Sequence, residues 1–251
     1  MKLLSGGLTQ LSTVDYPGHV SSVLYLCDCP YSCPFCQNHR LLKREDCWDV
    51  ETDVIVGKIA DNFPFVDSIC ITGGEPLIQV DSLAELLKKL HHQGMSIKLD
   101  TNGFYPNRLR KIIQMGVIDY IAMDIKAPLN PEQYSRVTSR NDGEAVVEKV
   151  KECLRIISHS KIPFEPRTTV VPNLIESRED VEAIALALKE YGFDFYVLQQ
   201  FCPNNGCLDK RYERLRAPER DYLYNLALDL RRIIPKIWIR TMENGQEKIS
   251  A

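Results

Sequence analysis

CDCPYSCPFCQN, residues 27–38, packs Cys27, Cys29, Cys33 and Cys36 into its first ten positions. Three thiolates close together in a loop after a strand suit an iron–sulfur cluster, and such clusters normally take four protein ligands. With three, one iron of a four-iron cluster keeps an open position, and an open position can do chemistry. Structural zinc is the rival, since four-cysteine zinc sites are common, although their ligands usually come as two separated pairs. Cys27 lies two residues before Cys29, so in an extended strand both thiols face the same side. A fourth ligand that close would need the chain to fold back around the cluster. Cys27 is therefore read as a strand thiol beside the site, and Cys29-x3-Cys33-x2-Cys36 as the ligand set.

The chain around this loop has 251 residues, 44% apolar and 26% charged, with a net charge of −3. That is an ordinary globular composition with room for one large domain or two small ones. No block of like charges suggests a nucleic-acid footprint. The opening MKLLSGGLTQ has too short an apolar run for a signal peptide, and no stretch is long enough to span a membrane. The expectation is a cytoplasmic protein with no nucleic-acid or membrane partner. Nine cysteines in a reducing compartment point to metal or redox chemistry rather than a disulfide framework.

After the cluster loop, β-rich runs alternate with amphipathic helices. Leu83, Leu86, Leu87 and Leu90 fall on one helical face, with Ser82 and Glu85 at capping-box spacing and Gly94 as the stop. The same spacing recurs at Val181, Ile184, Ala185 and Leu188, between a Ser177 cap and Gly192, and at Leu223, Leu226, Ala227 and Leu230, between Pro218 and Pro235. Weaker helices are expected near 52–62, 107–115 and 144–158. The expected strands are 20–26, 67–72, 96–100, 120–126, 163–171 and 193–201, with IWIRTM as a short seventh. Strand–helix alternation implies parallel strands joined by right-handed crossovers. The fold class is α/β, a partial (β/α)6 TIM-type barrel with the cluster loop after the first strand. One domain over 1–251 is expected, with a core of about 7–201 and a C-terminal helix and short strand in 202–251.

Alternation along these strands places Lys98 and Asp100, then Asp124 and Lys126, then Glu165 and Arg167 on the faces opposite their apolar neighbours. These three acids and three bases are expected to face the lumen. Interior salt bridges that merely hold the barrel are one reading, although an apolar replacement for a buried ion pair is often as stable. A neutral, heavily charged lumen better suits a polar, zwitterionic ligand.

Cys29-x3-Cys33-x-Phe35-Cys36 resembles the signature of radical S-adenosylmethionine (SAM) enzymes. Supporting motifs follow in order: Thr72-Gly73-Gly74-Glu75-Pro76, Asp100-Thr101-Asn102-Gly103, and Asp124-Ile125-Lys126. GLTQLSTVDYPGHVSSVLYLCDCPYSCPFCQNHRLL, with its Asp15-Tyr16-Pro17-Gly18 turn, looks like the glycyl-radical-enzyme activases, and most like the branch that activates anaerobic ribonucleoside-triphosphate reductase. The resemblance runs from about Gly7 to Gln199-Gln200-Phe201. Three departures stand out. Asp28 replaces a frequent glycine, Gln37-Asn38 replaces His-Asn, and Gln199-Gln200-Phe201 lacks a histidine.

The resemblance implies a radical SAM oxidoreductase in which Cys29, Cys33 and Cys36 hold a [4Fe–4S] cluster and SAM completes the fourth iron. Reductive cleavage would give a 5′-deoxyadenosyl radical that takes hydrogen from a glycine Cα of a partner glycyl radical enzyme. No catalytic side chain is expected beyond the cluster and SAM. Gly73, Gly74 and Glu75 would receive the SAM amino group, Phe35 would pack near the adenine, and Gln37 would join the cofactor site. Lys126 would balance the SAM carboxylate, near which Asp100 and Asp124 would crowd unless a cation, such as a monovalent metal ion, intervened. Arg167 either aids SAM or pairs with Glu165. A one-electron donor such as flavodoxin or ferredoxin is implied. The alternatives are activation of a pyruvate formate-lyase-like enzyme, action on a small molecule, or a non-catalytic iron–sulfur or zinc module. Cys70 and Cys153 read as core, Cys47 as an ordinary thiol, and Cys202 and Cys207 as a loop pair able to form a redox couple or hold metal.

Overall fold

The computed structural model describes residues 1–62 and 64–249. The chain begins with β1 (Lys2–Ser12), which pairs antiparallel with β2 (Ser21–Leu26) and with β3 (Trp48–Glu51). Sequence alternation did not reveal β1 because its pairing shifts register between Ser5 and Gly7 and again between Thr9 and Ser12. Each shift breaks the two-residue period on which strand recognition depends.

The expected strands follow as β4 (Ser68–Gly73), β5 (Ser96–Thr101), β6 (Tyr120–Asp124), β7 (Phe164–Val170) and β8 (Phe195–Gln200). IWIRTM supplies most of β9 (Lys236–Thr241), which pairs parallel with β8 and ends in a hairpin to β10 (Gly245–Lys248). The sheet order is β10-β9-β8-β7-β6-β5-β4-β2-β1-β3. Pairing is parallel for β2 with β4, β4 with β5, and β7 with β8. This is the expected mostly parallel α/β sheet, open rather than closed.

The helices are α1 (His39–Leu42), α2 (Thr52–Ala60), α3 (Val80–His92), α4 (Pro106–Gln114), α5 (Pro131–Thr138), α6 (Gly143–Ser158), α7 (Arg178–Glu190) and α8 (Arg220–Leu230). Sequence periodicity missed α5 because it is barely two turns long. Asn130 nevertheless caps it by accepting the Glu132 and Gln133 N–H groups, with Pro131 at the first helical position. Among the described residues, no helix is long and apolar enough to cross a membrane.

The chain forms two compact units, one of Met1–Pro30, Asn38–Thr101 and Tyr105–Ala122, the other of Tyr31–Gln37, Asn102–Phe104 and Met123–Ala251. In the first, the α3 stripe of Leu83, Leu86, Leu87 and Leu90 is fully buried, as are Ile69 and Ile71 of β4 and Ile97 and Leu99 of β5. In the second, Val146, Val150, Cys153, Leu154 and Ile157 of α6 are buried, with the predicted stripes of α7 and α8. Gln200 ties down the tail: its amide donates to the Pro218 carbonyl at 2.8 Å and accepts the Met242 N–H at 2.7 Å.

The two predicted helix caps part company. Ser177 accepts the Asp180 N–H and opens α7. Ser82 lies inside α3, because a 3-10 turn over Pro76–Gln79 starts the winding earlier and Glu75 accepts the Leu77 N–H. Glu85 accordingly faces Lys89 and the Thr52 hydroxyl rather than a cap. Ser177→Ala is expected to cost about 1 kcal/mol of stability and Ser82→Ala only a few tenths, as read from urea unfolding midpoints.

Candidate functional site

In the first unit, the cysteine loop leaves the end of β2 under tight restraint. The Cys27 N–H donates to the Leu4 carbonyl at 3.0 Å, and Cys27 is disulfide-bonded to Cys47 across a Cα separation of 6.3 Å. This corrects two sequence expectations: Cys47 is not an ordinary thiol, and one disulfide stands among the nine cysteines. Their separation of 20 residues in sequence gave spacing arguments no purchase; β1 pairs with both β2 and β3, with Ser5 opposite Leu26 on one side and Trp48 on the other, and so brings them together. The next residue, Asp28, has a φ of 71°. This left-handed conformation favours glycine, and Asp is among the few other residues that tolerate it. Asp28 secures itself by a two-pronged pair with Arg44, at 2.8 and 2.7 Å. That accounts for an aspartate where the resembling family often has glycine.

The Gly73-Gly74-Glu75 turn lies against this segment. The Gly74 N–H donates to the Leu26 carbonyl and the Glu75 N–H to the Asp28 carbonyl, both at 2.8 Å. Asn38 closes the other side by donating to the Gly73 carbonyl at 2.8 Å. A Cβ on Gly73 would come within 2.2 Å of the Leu26 carbonyl oxygen, and one on Gly74 within 2.1 Å of that of Asp28 and 3.4 Å of Cys29 Cβ. Gly73 also has a φ of 122°. The glycines are therefore required by backbone meeting backbone beside Cys29. Glu75 is fully buried, and its carboxylate accepts the Leu77 N–H at 3.1 Å and the Thr101 hydroxyl at 3.0 Å. In the same unit, Lys98 Nζ lies 2.5 Å from Asp100 and 3.6 Å from the Cys70 sulfur. Thr72 donates to the other Asp100 oxygen at 3.1 Å.

In the second unit, Cys33 and Phe35 are buried and Cys36 is partly so. Burial pushes the Cys33 thiol up to about 12, against the pull of Lys126. Such a thiol stays protonated at neutral pH unless a positive charge replaces its proton. Asp124 is held well below the usual carboxylate range: burial raises it, but Arg167 at 2.9 Å and Lys126 at 2.9 Å outweigh burial. The Lys126 ammonium is correspondingly held charged: burial disfavours it, but Asp124 at 2.9 Å outweighs burial. Arg167 thus finds its nearest acid in Asp124 rather than in Glu165, which lies 3.8 Å away. The fully buried Glu165 is met at 3.2 Å by Arg240 of β9, a residue not singled out in sequence. The alternation of β9, with Ile237 and Ile239 on the opposite face, was the available signal.

The tail also grips the ligand loop. Leu208 N–H donates to the Cys36 carbonyl at 3.1 Å, Asp209 N–H to that of Pro34 at 2.9 Å, and Ser32 N–H to that of Thr138 at 3.0 Å. The Gln37 amide donates to the Cys202 carbonyl. Cys207 is buried with its thiol pushed up to about 11 by burial, Glu213 and Cys36, a state of low nucleophilicity. Cys153 donates to the Gly103 carbonyl from within the core. Among the described residues, no three His, Cys, Asp or Glu side chains converge as a single metal ion requires.

Three outcomes follow from this geometry. Asp28→Gly should change apoprotein stability by under about 1 kcal/mol, while Asp28→Val should lose about 1–3 kcal/mol in urea unfolding. Gly74→Ala should lower the iron content of reconstituted protein, because the Asp28 carbonyl must move. Asp124, with its pKa lowered on folding, stabilises the protein above about pH 4 and loses that contribution as acid approaches the lowered value. Asp124→Asn should therefore flatten the acid limb of the stability curve.

Residues 24–188 match the Radical SAM superfamily. A protein of Methanocaldococcus jannaschii, whose name proposes a glycyl-radical enzyme activating function, is 34% identical over 250 residues, covering 99% of this chain and 100% of its own. The pyruvate formate-lyase-activating enzyme of Streptococcus mutans is 26% identical over 205 residues, covering 75% of this chain and 72% of its own. A radical SAM methyltransferase from Sphaerobacter thermophilus shares the fold at a TM-score of 0.69 and 15% identity, over 92% of this chain and 68% of that one. Family, fold and ligand loop agree, and the chain belongs to the radical SAM superfamily, whose members use a [4Fe–4S] cluster and S-adenosylmethionine.

Proposed function

We propose that this protein is the activating enzyme of a glycyl radical enzyme and that its partner is an anaerobic ribonucleoside-triphosphate reductase. The observation that carries the reading is the Cys29-x3-Cys33-x2-Cys36 loop leaving β2, with Gly73-Gly74-Glu75 bonded to its first turn. The full-length relative whose name proposes glycyl-radical activation supports it. The chain's own residues have distinct tasks. Cys29, Cys33 and Cys36 would hold the cluster. The Gly73–Glu75 turn presents backbone groups to the SAM amino end, and Phe35 provides an apolar wall for its adenine. Gln37, engaged with Cys202, holds the exit of the ligand loop beside the cofactor. Lys126, kept charged, would meet the SAM carboxylate, with Asp124 and Arg167 fixing it in place; Asp100 of the first unit would add a polar contact to the cofactor. When bound, the cluster and SAM supply one-electron reductive cleavage of a carbon–sulfur bond, and the protein binds, orients and excludes water. A flavodoxin or ferredoxin provides the electron in a cytoplasmic setting.

The similarity to pyruvate formate-lyase-activating enzymes favours a second reading, in which the partner is a pyruvate formate-lyase-like protein. Anaerobically reconstituted protein should carry about four irons, cleave SAM on reduction, and produce a glycyl radical signal on the correct purified partner. Absence of SAM cleavage by fully loaded protein would sink the activase reading; a radical on the lyase but not the reductase would select the second partner. Cys29→Ala should lose the cluster, and Cys47→Ser should keep it. Lys126→Met should raise the KM for SAM by about 10–100-fold, the worth of one charge-assisted hydrogen bond.

A further inference from the structure

We infer that Lys98 is the built-in counter-cation of Asp100, a positioning residue that takes the place a small monovalent cation would otherwise fill at this strand end. The inference about SAM rests on the proposed function; the inference about the ion pair does not.

Strand register assembles the group. Cys70 of β4 is paired with Lys98 of β5, and Ile71 with Leu99. The two-residue alternation then puts Thr72 and Asp100 on the same face as Cys70 and Lys98. The opposite face carries Ile69, Ile71, Ile97 and Leu99, all fully buried. Lys98 has a side-chain exposure of 1%, against 14% for Asp100. The lysine is therefore sealed beneath the carboxylate and cannot touch a bound ligand, whereas the carboxylate reaches the edge of the site.

Lys98 Nζ donates to Asp100 Oδ1 at 2.5 Å and to the Cys70 sulfur at 3.6 Å, and Thr72 donates to Asp100 Oδ2 at 3.1 Å. A buried ammonium is expensive unless an opposite charge and hydrogen bonds meet it, and the same holds for the carboxylate above it. Together they present a carboxylate of fixed orientation whose charge is already balanced from below. In the second unit Asp124 is balanced in the same manner by Lys126 and Arg167. Asp100 thus brings its own cation within the first unit, which removes its need for a metal counter-ion.

The test compares potassium, sodium and tetramethylammonium chlorides at equal ionic strength. The melting temperature of wild-type apoprotein should agree within about 2 °C across the three salts. Lys98→Met should melt on the order of 10 °C lower in tetramethylammonium, from the stranded carboxylate, and recover part of that loss in sodium or potassium. The double variant Lys98→Met/Asp100→Asn should recover without any small cation, because both buried charges are gone. In loaded protein, calorimetric SAM affinity should be cation-independent for wild type. For Lys98→Met it should fall about tenfold in tetramethylammonium alone, with the rate of cleavage at saturating SAM unchanged. A wild-type melting temperature or SAM affinity that requires a small cation overturns the inference, as does a double variant no more stable than Lys98→Met. If Lys98→Met does not fold, the wild-type salt series and the double variant still decide. The apoprotein arm needs no SAM chemistry, so wild-type protein that shows no salt response and fails to cleave SAM would sink the proposed function and leave Lys98 in its role.

Discussion

A seam of bare backbone underlies the candidate site. Gly73 and Gly74 let the end of β4 meet residues 26–28 so closely that no Cβ fits between them, and the two hydrogen bonds across the seam set where Cys29 begins. Asp28 adopts its left-handed turn against that seam, with Arg44 and the Cys27–Cys47 disulfide anchoring its outer side. A loop held so firmly at its root keeps Cys29 in a defined place. Glycine in such a motif is easily read as room for a ligand; here the room is occupied by the protein's own main chain.

Charge is handled with equal economy. The strands carry acids and bases where apolar residues would pack more simply, and nearly all find partners within the same unit: Lys98 with Asp100, Asp124 with Lys126 and Arg167, Glu165 with Arg240. Such pairs contribute little net stability once desolvation is counted. What they provide is fixed charge in fixed directions, which a zwitterionic ligand requires. Arg240 shows that the tail takes part in this, since β9 supplies the cation for a fully buried glutamate of β7.

The tail has a second task. Its segment around residues 207–209 donates backbone hydrogen bonds to the carbonyls of Pro34 and Cys36, so the far end of the ligand loop is held by chain some 170 residues downstream. Within the second unit, residues 34–36 are thereby held by the tail.

Local pattern determined much of this protein. Apolar periodicity located α3, α6, α7 and α8 and every strand from β2 onward except β3 and β10, because burial of one face imposes a period that depends only on neighbouring residues. The cysteine spacing and the ordered motifs after successive strands pointed to the radical SAM family for the same reason: each is a short-range arrangement. Tertiary structure alone decided the rest. The Cys27–Cys47 bond, the anchoring of Asp28, the choice of Asp124 by Arg167, and the recruitment of Arg240 all join residues distant along the chain. The register shifts of β1 and the 3-10 turn that displaced the Ser82 cap reflect fit to neighbouring elements rather than local preference. Sequence period records which side of an element is buried; it carries no record of which distant partner will be there.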